Sequence, residues 1–184
     1  MHAKSPGGLI FPAIVFIGLI LFSLSGFIGT IFSQNDFHPS APPAEHTRKL
    51  SDLFPASIQQ WKMIIEKYAE RYQLDPNLIA AVMLQESGGD PQIISSSGAV
   101  GLMQVMPRDG IAASFYCGAI ACFTNRPTIK DLSEPEFNVD FGSRMLSNLI
   151  KKEGSVRQAL FHYGPFDTGY GYADTVLSLY EHYQ

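Results

Sequence analysis

The chain has 184 residues, of which 46% are apolar and 16% are charged, with a net charge of −4. This length suffices for one domain with a buried core, and the composition excludes a collagen, a disulfide-dense toxin and a wholly disordered chain. A mean hydropathy just above zero is high for a soluble protein, and the apolar excess is local. Residues 1–32 hold 19 apolar side chains and one charge, Lys4. The remainder carries 12 basic and 17 acidic residues without a basic stripe, which argues against a nucleic acid partner.

The uncharged segment 9–32 predicts a transmembrane helix, so that residues 1–32 would form an N-terminal signal-anchor. As a helix the segment would span about 36 Å, more than the hydrocarbon thickness of about 30 Å. Lys4 precedes it and Asp36 is the first charge after it, so the positive-inside rule places the remainder outside the cytoplasm. The alternative is a signal peptide cleaved at 23–25, which would give a secreted protein. We prefer the anchor because apolar residues continue past that site.

Residues 33–55 predict an extended, Pro-rich linker that holds a domain away from the membrane. Four prolines lie there among polar residues, with little hydrophobic periodicity. The folded domain should therefore cover residues 56–184.

This domain has mainly helical patterning. Apolar residues recur at spacings of three and four between Ile58 and Tyr72, which predicts a first helix. Further helices are predicted at 77–87, 100–106, 137–151, 155–163 and 171–183, with a short hairpin as an option at 92–98. The predicted fold class is mainly α with at most a minor β hairpin.

The helix that starts at Asn77 is the most informative element. Asp75 and Pro76 are a typical N-cap and first helical residue, and Gly88 and the glycine after it end the helix. Residues 78–84 are apolar on every face, so we expect this helix in the centre of the domain.

Glu86 is the one acid on this helix and lies in its last turn. Ile79, Val82 and Met83 share its face, and both their apolar surface and the negative end of the helix dipole disfavour the ionised carboxylate. A carboxylic acid that stays protonated near neutral pH is what a general acid requires. The alternative is a glutamate that points to solvent from a fraying helix end.

The loop that follows has the composition of a cleft wall. Gly98 and Gly101 allow close backbone approach, and Ser95 and Gln104 could hold an amide or hydroxyl of a ligand. The alternative for these two polar residues is ordinary capping and surface solvation.

Together these residues resemble the catalytic domain of the soluble lytic transglycosylases, which belongs to the lysozyme-like superfamily. The resemblance covers about residues 58–183 and is strongest at 86–107. Its most specific part is the spacing of Glu86-Ser87, Pro91, Ser95, Gly98-Ala99, Gly101-Leu102-Met103-Gln104 and Met106-Pro107. Weaker matches are Asn138-Val139 with Gly142 and Leu146, Gly164-Pro165, and Gly171-Tyr172.

The resemblance implies a lysozyme-like helical domain that cleaves the β-1,4 bond between N-acetylmuramic acid and N-acetylglucosamine in peptidoglycan. Carried over by position, Glu86 would be the single catalytic acid/base. Ser95, Gln104, Met106 and Tyr172 would line the sugar subsites. The resemblance implies a 1,6-anhydromuramic product formed without a cofactor or metal, and it says nothing of the oligomeric state.

The residues fit such a mechanism because most glycosidases need two carboxylates. Glu86 is the candidate on a core helix, whereas Asp90 and Asp109 lie in neighbouring loops. A substrate that stabilises its own cation and attacks with its own 6-hydroxyl needs one acid. Hydrolysis of the lysozyme type becomes the alternative if either aspartate faces the cleft and positions a water molecule.

The last motif departs from the family pattern, which usually has Tyr-Asn before its Ala-Gly-Pro. Alignment on Gly164 places Phe161 and His162 at the Tyr-Asn positions. A one-residue deletion would instead use Tyr163, which we prefer because its phenol could hydrogen-bond Glu86 and Phe161 could not. His162 is more simply a structural histidine.

Residues 108–130 look like an insertion that carries Cys117 and Cys122. Outside the cytoplasm two cysteines this close predict a disulfide, with two free thiols as the alternative. A zinc site is disfavoured because no histidine lies in the stretch.

The sequence thus predicts a membrane-tethered lytic transglycosylase with an extracytoplasmic catalytic domain. Three rivals stay open: a hydrolytic muramidase, a catalytically weak peptidoglycan-binding domain, and a structural component of an envelope machine.

Overall fold

The computed structural model describes residues 49–165 and 169–184. The predicted anchor at 1–32 and the linker up to residue 48 lie outside the described residues. The described ranges contain no helix that is both long and apolar enough to cross a bilayer. They form seven α-helices: α1 (Ala56–Gln59), α2 (Lys62–Tyr72), α3 (Pro76–Ser87), α4 (Ile129–Leu132), α5 (Pro135–Glu153), α6 (Val156–Tyr163) and α7 (Gly171–His182).

Helix α3 is the buried helix that the sequence predicts. The Asp75 side chain accepts the Asn77 N–H at 2.9 Å, Pro76 opens the first turn, and Gly88 ends the helix at φ 63°. Residues 79–83 have no exposed surface. Helices α2 and α7 pack against α3, so the apolar residues on all its faces find apolar neighbours.

The helices after residue 130 also match the prediction to within two residues. Pro135 at the first position starts α5, and the Ser155 side chain caps α6 by accepting the Gln158 N–H at 3.1 Å. Helix α5 packs against α2, α4 and α6, and α6 packs against α7. The first predicted helix differs, because it is interrupted at residues 60–61 and forms α1 and α2.

The helix predicted at 100–106 is wrong. Gly101 and Gln104 adopt left-handed backbone conformations, with φ 74° and φ 45°, which no α-helix contains. Val100 instead forms isolated bridges with Ile94 and Val105, so the segment is a series of tight turns.

The hairpin lies at 116–121 and not at 92–98. Strands β1 (Tyr116–Cys117) and β2 (Ile120–Ala121) pair antiparallel, and a disulfide joins Cys117 to Cys122. The segment from residue 108 to 130 is closed at its base, where the Arg108 N–H donates to the Pro127 carbonyl at 3.0 Å. Periodicity gave no strand signal here because each strand has two residues.

Asn138 on α5 fixes the tight turns. Its Oδ1 accepts the Met103 N–H at 2.8 Å, and its Nδ2 donates to the carbonyls of Val100 at 2.8 Å and Leu132 at 2.9 Å. The side chain is fully buried. A Cβ on Gly101 would lie 2.6 Å from Asn138 Nδ2, so glycine is required for this approach as well as for its positive φ.

We therefore expect Asn138→Ala to lower the free energy of unfolding by about 2–4 kcal/mol, because three buried backbone groups lose their partner. Chemical denaturation measures this change. Asn148→Ala, an exposed position on the same helix, should change it by less than about 0.5 kcal/mol. Equal effects of the two substitutions would contradict this role for Asn138.

Candidate active site

The carboxyl group of Glu86 lies in the last turn of α3, where the residue is half-buried. Burial raises the pKa of Glu86 from its ordinary value of 4.5 to about 7, and a hydrogen bond from Tyr172 opposes part of this increase. Removal from water disfavours the charged carboxylate more than the neutral acid. The group therefore exchanges its proton near neutral pH.

Tyr172 contacts this carboxyl from the first turn of α7. Its hydroxyl donates to Glu86 Oε1 at 2.5 Å, and its side chain is buried. Burial and the charge of Glu86 raise the pKa of Tyr172, so the phenol stays protonated and acts as a donor. Gly164 makes room for the ring, since a Cβ there would lie 2.4 Å from two ring carbons.

Tyr163 at the end of α6 lies in the same region but has a different partner. Its hydroxyl donates to the Met103 carbonyl at 2.9 Å, so the hydrogen bond to Glu86 that the sequence suggested is made by Tyr172. Burial raises the pKa of Tyr163 well above its ordinary value; the charge of Glu86 adds to this, and that of Arg126 opposes it. Tyr163 is thus close enough to Glu86 to respond to its charge while it supports the turn at Met103.

Ser87 connects α3 to the tight turns. Its buried hydroxyl lies 2.9 Å from the Leu102 carbonyl oxygen, to which it donates, and accepts the Gly89 N–H at 3.1 Å. Because Ser87 follows Glu86 directly, this bond sets the position of the 101–104 turn relative to the carboxyl.

The other predicted binding residues lie on the 93–106 loop and are half-buried. Ser95 Oγ accepts the Ala99 N–H at 3.0 Å, and Gln104 Nε2 donates to the carbonyls of Ile93 at 3.1 Å and Gly101 at 3.0 Å. Both side chains thus stabilise the loop itself. A substrate role for Ser95, Gln104 and Met106 remains a prediction.

The two loop aspartates also have backbone partners. Asp90 Oδ1 accepts the Gln92 N–H at 2.8 Å, and Asp109 Oδ1 accepts the Ile129 N–H at 2.8 Å. The Asp90 carboxylate therefore stabilises a local turn, and the Asp109 carboxylate joins the two ends of the segment from residue 108 to 130.

The described ranges contain no group of three or more His, Cys, Asp or Glu side chains arranged to hold a metal ion. Cys117 and Cys122 are joined to each other, so neither sulfur is available as a thiolate ligand.

Sequence reasoning assigned no role at the site to Ser87, Asn138, Gly164 or Arg126. Ser87, Asn138 and Gly164 belong to the motifs that carry the resemblance. Their roles could not be predicted because they depend on which groups these residues contact in the folded protein. A polar residue on an otherwise apolar helix face, as Asn138 is, was the available signal.

The family model described as "Transglycosylase SLT domain" matches residues 63–167. The endo-type membrane-bound lytic murein transglycosylase A of Klebsiella pneumoniae is 39% identical over 94 residues, which cover 49% of this chain and 43% of that protein. The membrane-bound lytic murein transglycosylase E of Buchnera aphidicola is 34% identical over 101 residues, or 55% of this chain and 44% of that protein. The chain therefore matches less than half the length of these relatives.

Among solved structures, the 70 kDa soluble lytic transglycosylase of Escherichia coli has a TM-score of 0.48 and 20% identity. The match covers 68% of this chain and 26% of that one.

The raised pKa of Glu86 predicts a pH-dependent stability. The folded state binds more protons than the unfolded state between about pH 4.5 and 7, so this group's stabilising contribution is full below that window and is lost as pH rises through it. Glu86→Gln should be more stable than the wild type at pH 8, by up to about 3 kcal/mol relative to their difference at pH 4.5. Denaturant unfolding at several pH values measures this, and a pH-independent difference would contradict the assignment.

Tyr172→Phe should raise the pKa of Glu86 further, because the phenol that stabilises the carboxylate is removed. The pH at which the Glu86 contribution to stability is lost should move upward. Tyr163→Phe is the matched control, since its phenol bonds the Met103 carbonyl, and it should leave that midpoint unchanged. An equal upward shift of the midpoint pH in both variants would show that Tyr172 has no specific effect on the pKa of Glu86.

Proposed function

This chain belongs to the transglycosylase SLT domain family, and we propose from that premise that the domain is a peptidoglycan lytic transglycosylase. It would cleave the β-1,4 bond between N-acetylmuramic acid and N-acetylglucosamine and leave 1,6-anhydromuramic ends. The observation that carries the proposal is the Glu86 carboxyl, whose pKa of about 7 leaves both its forms populated at neutral pH.

In the first step, protonated Glu86 would donate its proton to the glycosidic oxygen as the C1–O bond of the muramic acid breaks. The positive charge that develops at C1 is stabilised by the carbonyl oxygen of the sugar's own N-acetyl group. Glu86 becomes a carboxylate in this step, and the Tyr172 phenol that donates to it at 2.5 Å stabilises the new charge.

In the second step, the Glu86 carboxylate would take the proton of the muramic acid 6-hydroxyl as O6 bonds to C1. This closes the 1,6-anhydro ring, returns Glu86 to its protonated form and consumes no water. A pKa close to the working pH suits a group that serves first as acid and then as base.

The contacts of the loop aspartates favour a mechanism with one catalytic carboxylate over a mechanism with two. Asp90 and Asp109 are bonded to the backbone N–H groups of Gln92 and Ile129. A hydrolase would need one of these carboxylates to position a water molecule in addition to its backbone N–H partner. We therefore rank the lytic reaction above the hydrolytic one.

The envelope is the proposed location. Peptidoglycan lies outside the cytoplasm, and the two relatives above are named membrane-bound. Residues 1–32 would anchor the protein, with peptidoglycan strands as the partner of the catalytic domain. Of the linker predicted at 33–55, Leu50 and Phe54 are buried in the core of the domain, so the part before residue 49 would hold the domain away from the bilayer.

The test is release of soluble muropeptides from purified sacculi. Glu86→Gln should reduce the rate at least about 100-fold, since positioned acid–base groups contribute 10²–10⁴-fold, while sedimentation of the variant with sacculi persists. Glu70→Gln makes the same chemical change at an exposed position on α2 and should retain wild-type activity. No release by the wild type would contradict the enzyme proposal and favour a glycan-binding domain.

Mass spectrometry of the products distinguishes the two reactions. Anhydro ends are lighter than hydrolytic ends by one water, and the proposal predicts the lighter species as the initial product. Hydrated ends at the first time points would instead identify a muramidase.

A further inference from the structure

A concave site lies beside the segment from residue 108 to 130. A cavity of about 380 Å³ separates its 122–126 part from α5, and Glu86 is not among the lining residues. Arg126 and Arg144 both line the cavity, and the guanidinium group of each lies near the ring of Phe141. The ring centroid lies 5.6 Å from Arg126 Cζ and 4.9 Å from Arg144 Cζ.

The two guanidinium groups are available to an anion. Neither forms an ion pair with a carboxylate of residues 49–165 or 169–184. Arg126 is half-buried, and its Nη1 contacts Met145 Sδ, an uncharged and weak acceptor. Burial lowers the pKa of Arg126, and Tyr163 opposes part of this decrease.

The remaining lining is suited to a peptide. Phe141 and Met145 present apolar surface, while Asn125 and Asn148 add exposed carboxamides that can donate and accept hydrogen bonds. Two arginines favour a carboxylate, for which the guanidinium fork has matching geometry. The combination fits a short peptide of small residues that ends or branches in carboxylates.

Tyr163 lies between the cavity and the candidate active site. A Cβ on Gly142, the residue after Phe141, would lie 3.2 Å from the Tyr163 hydroxyl oxygen, and the charges of Glu86 and Arg126 both act on this phenol. A group that branches from a sugar bound at Glu86 could therefore reach the cavity without following the glycan strand.

We propose that the cavity between α5 and residues 122–126 binds a carboxylate of the peptide stem on muramic acid, through Arg126 and Arg144. This inference rests on the proposed function, since it names a further part of the same substrate. The site would make the domain prefer strands that carry stems over bare glycan.

The test compares kcat/KM on three forms of one glycan: with intact stems, with stem carboxylates converted to amides, and with stems removed by an amidase. Arg144→Gln should lower kcat/KM about tenfold on intact stems, as expected for the loss of a charge-assisted hydrogen bond. It should change kcat/KM less than about twofold on the other two forms. Arg126→Gln should behave in the same way, with thermal melting checked because Arg126 is half-buried.

Lys151→Gln is the matched control, since it removes one positive charge from an exposed position on the same helix. It should leave kcat/KM unchanged on all three substrates. Equal losses for Arg144→Gln on intact and amidated stems would overturn the proposal. A loss that persists on stripped glycan would instead assign the contact to the sugar's lactyl carboxylate, and this too overturns it. Wild-type inactivity on every form would contradict the proposed function itself.

Discussion

The hydrogen bond between the Tyr172 phenol and the Glu86 carboxyl is the contact on which the candidate active site depends. It joins the first turn of α7 to the last turn of the central helix, and it is made where burial already disfavours a charge. Burial alone would raise the pKa of Glu86 further, whereas the phenol returns part of the stability to the carboxylate. Gly164 allows this balance because any larger residue would occupy the position of the Tyr172 ring.

A second set of contacts holds the turns at residues 100–104 beside the site. Asn138 binds the turns at Val100 and Met103, Ser87 binds Leu102, and Tyr163 donates to the Met103 carbonyl. Helices α3, α5 and α6 therefore each contribute one side chain to the same short loop. A loop held by helices of the core can present polar groups with little mobility, which is what positioning a sugar beside an acid requires.

Whether the sequence could predict a feature of this arrangement depends on how far apart in sequence the interacting residues lie. Helix α3 and its buried acid followed from capping residues and apolar neighbours, which are local in sequence. The turns at 100–106 were predicted as a helix because apolar spacing does not report that Asn138, more than thirty residues later, binds their backbone. The sequence suggested Tyr163 as the hydrogen-bond partner of Glu86, whereas Tyr172 makes that bond, for the same reason. Packing around Gly142 and Gly164 decides which phenol meets the carboxyl. The arginine-lined cavity needs the approach of two distant segments and has no sequence signal.

The central claim is that the Glu86 carboxyl titrates near neutral pH because of where α3 places it. The most direct measurement is the ¹³Cδ chemical shift of Glu86 as a function of pH, assigned by its loss in Glu86→Gln. The account predicts a midpoint of about 7 for this carboxyl. A Glu86 midpoint near 4.5 would show that the carboxyl is solvated as an ordinary surface acid and would contradict the account.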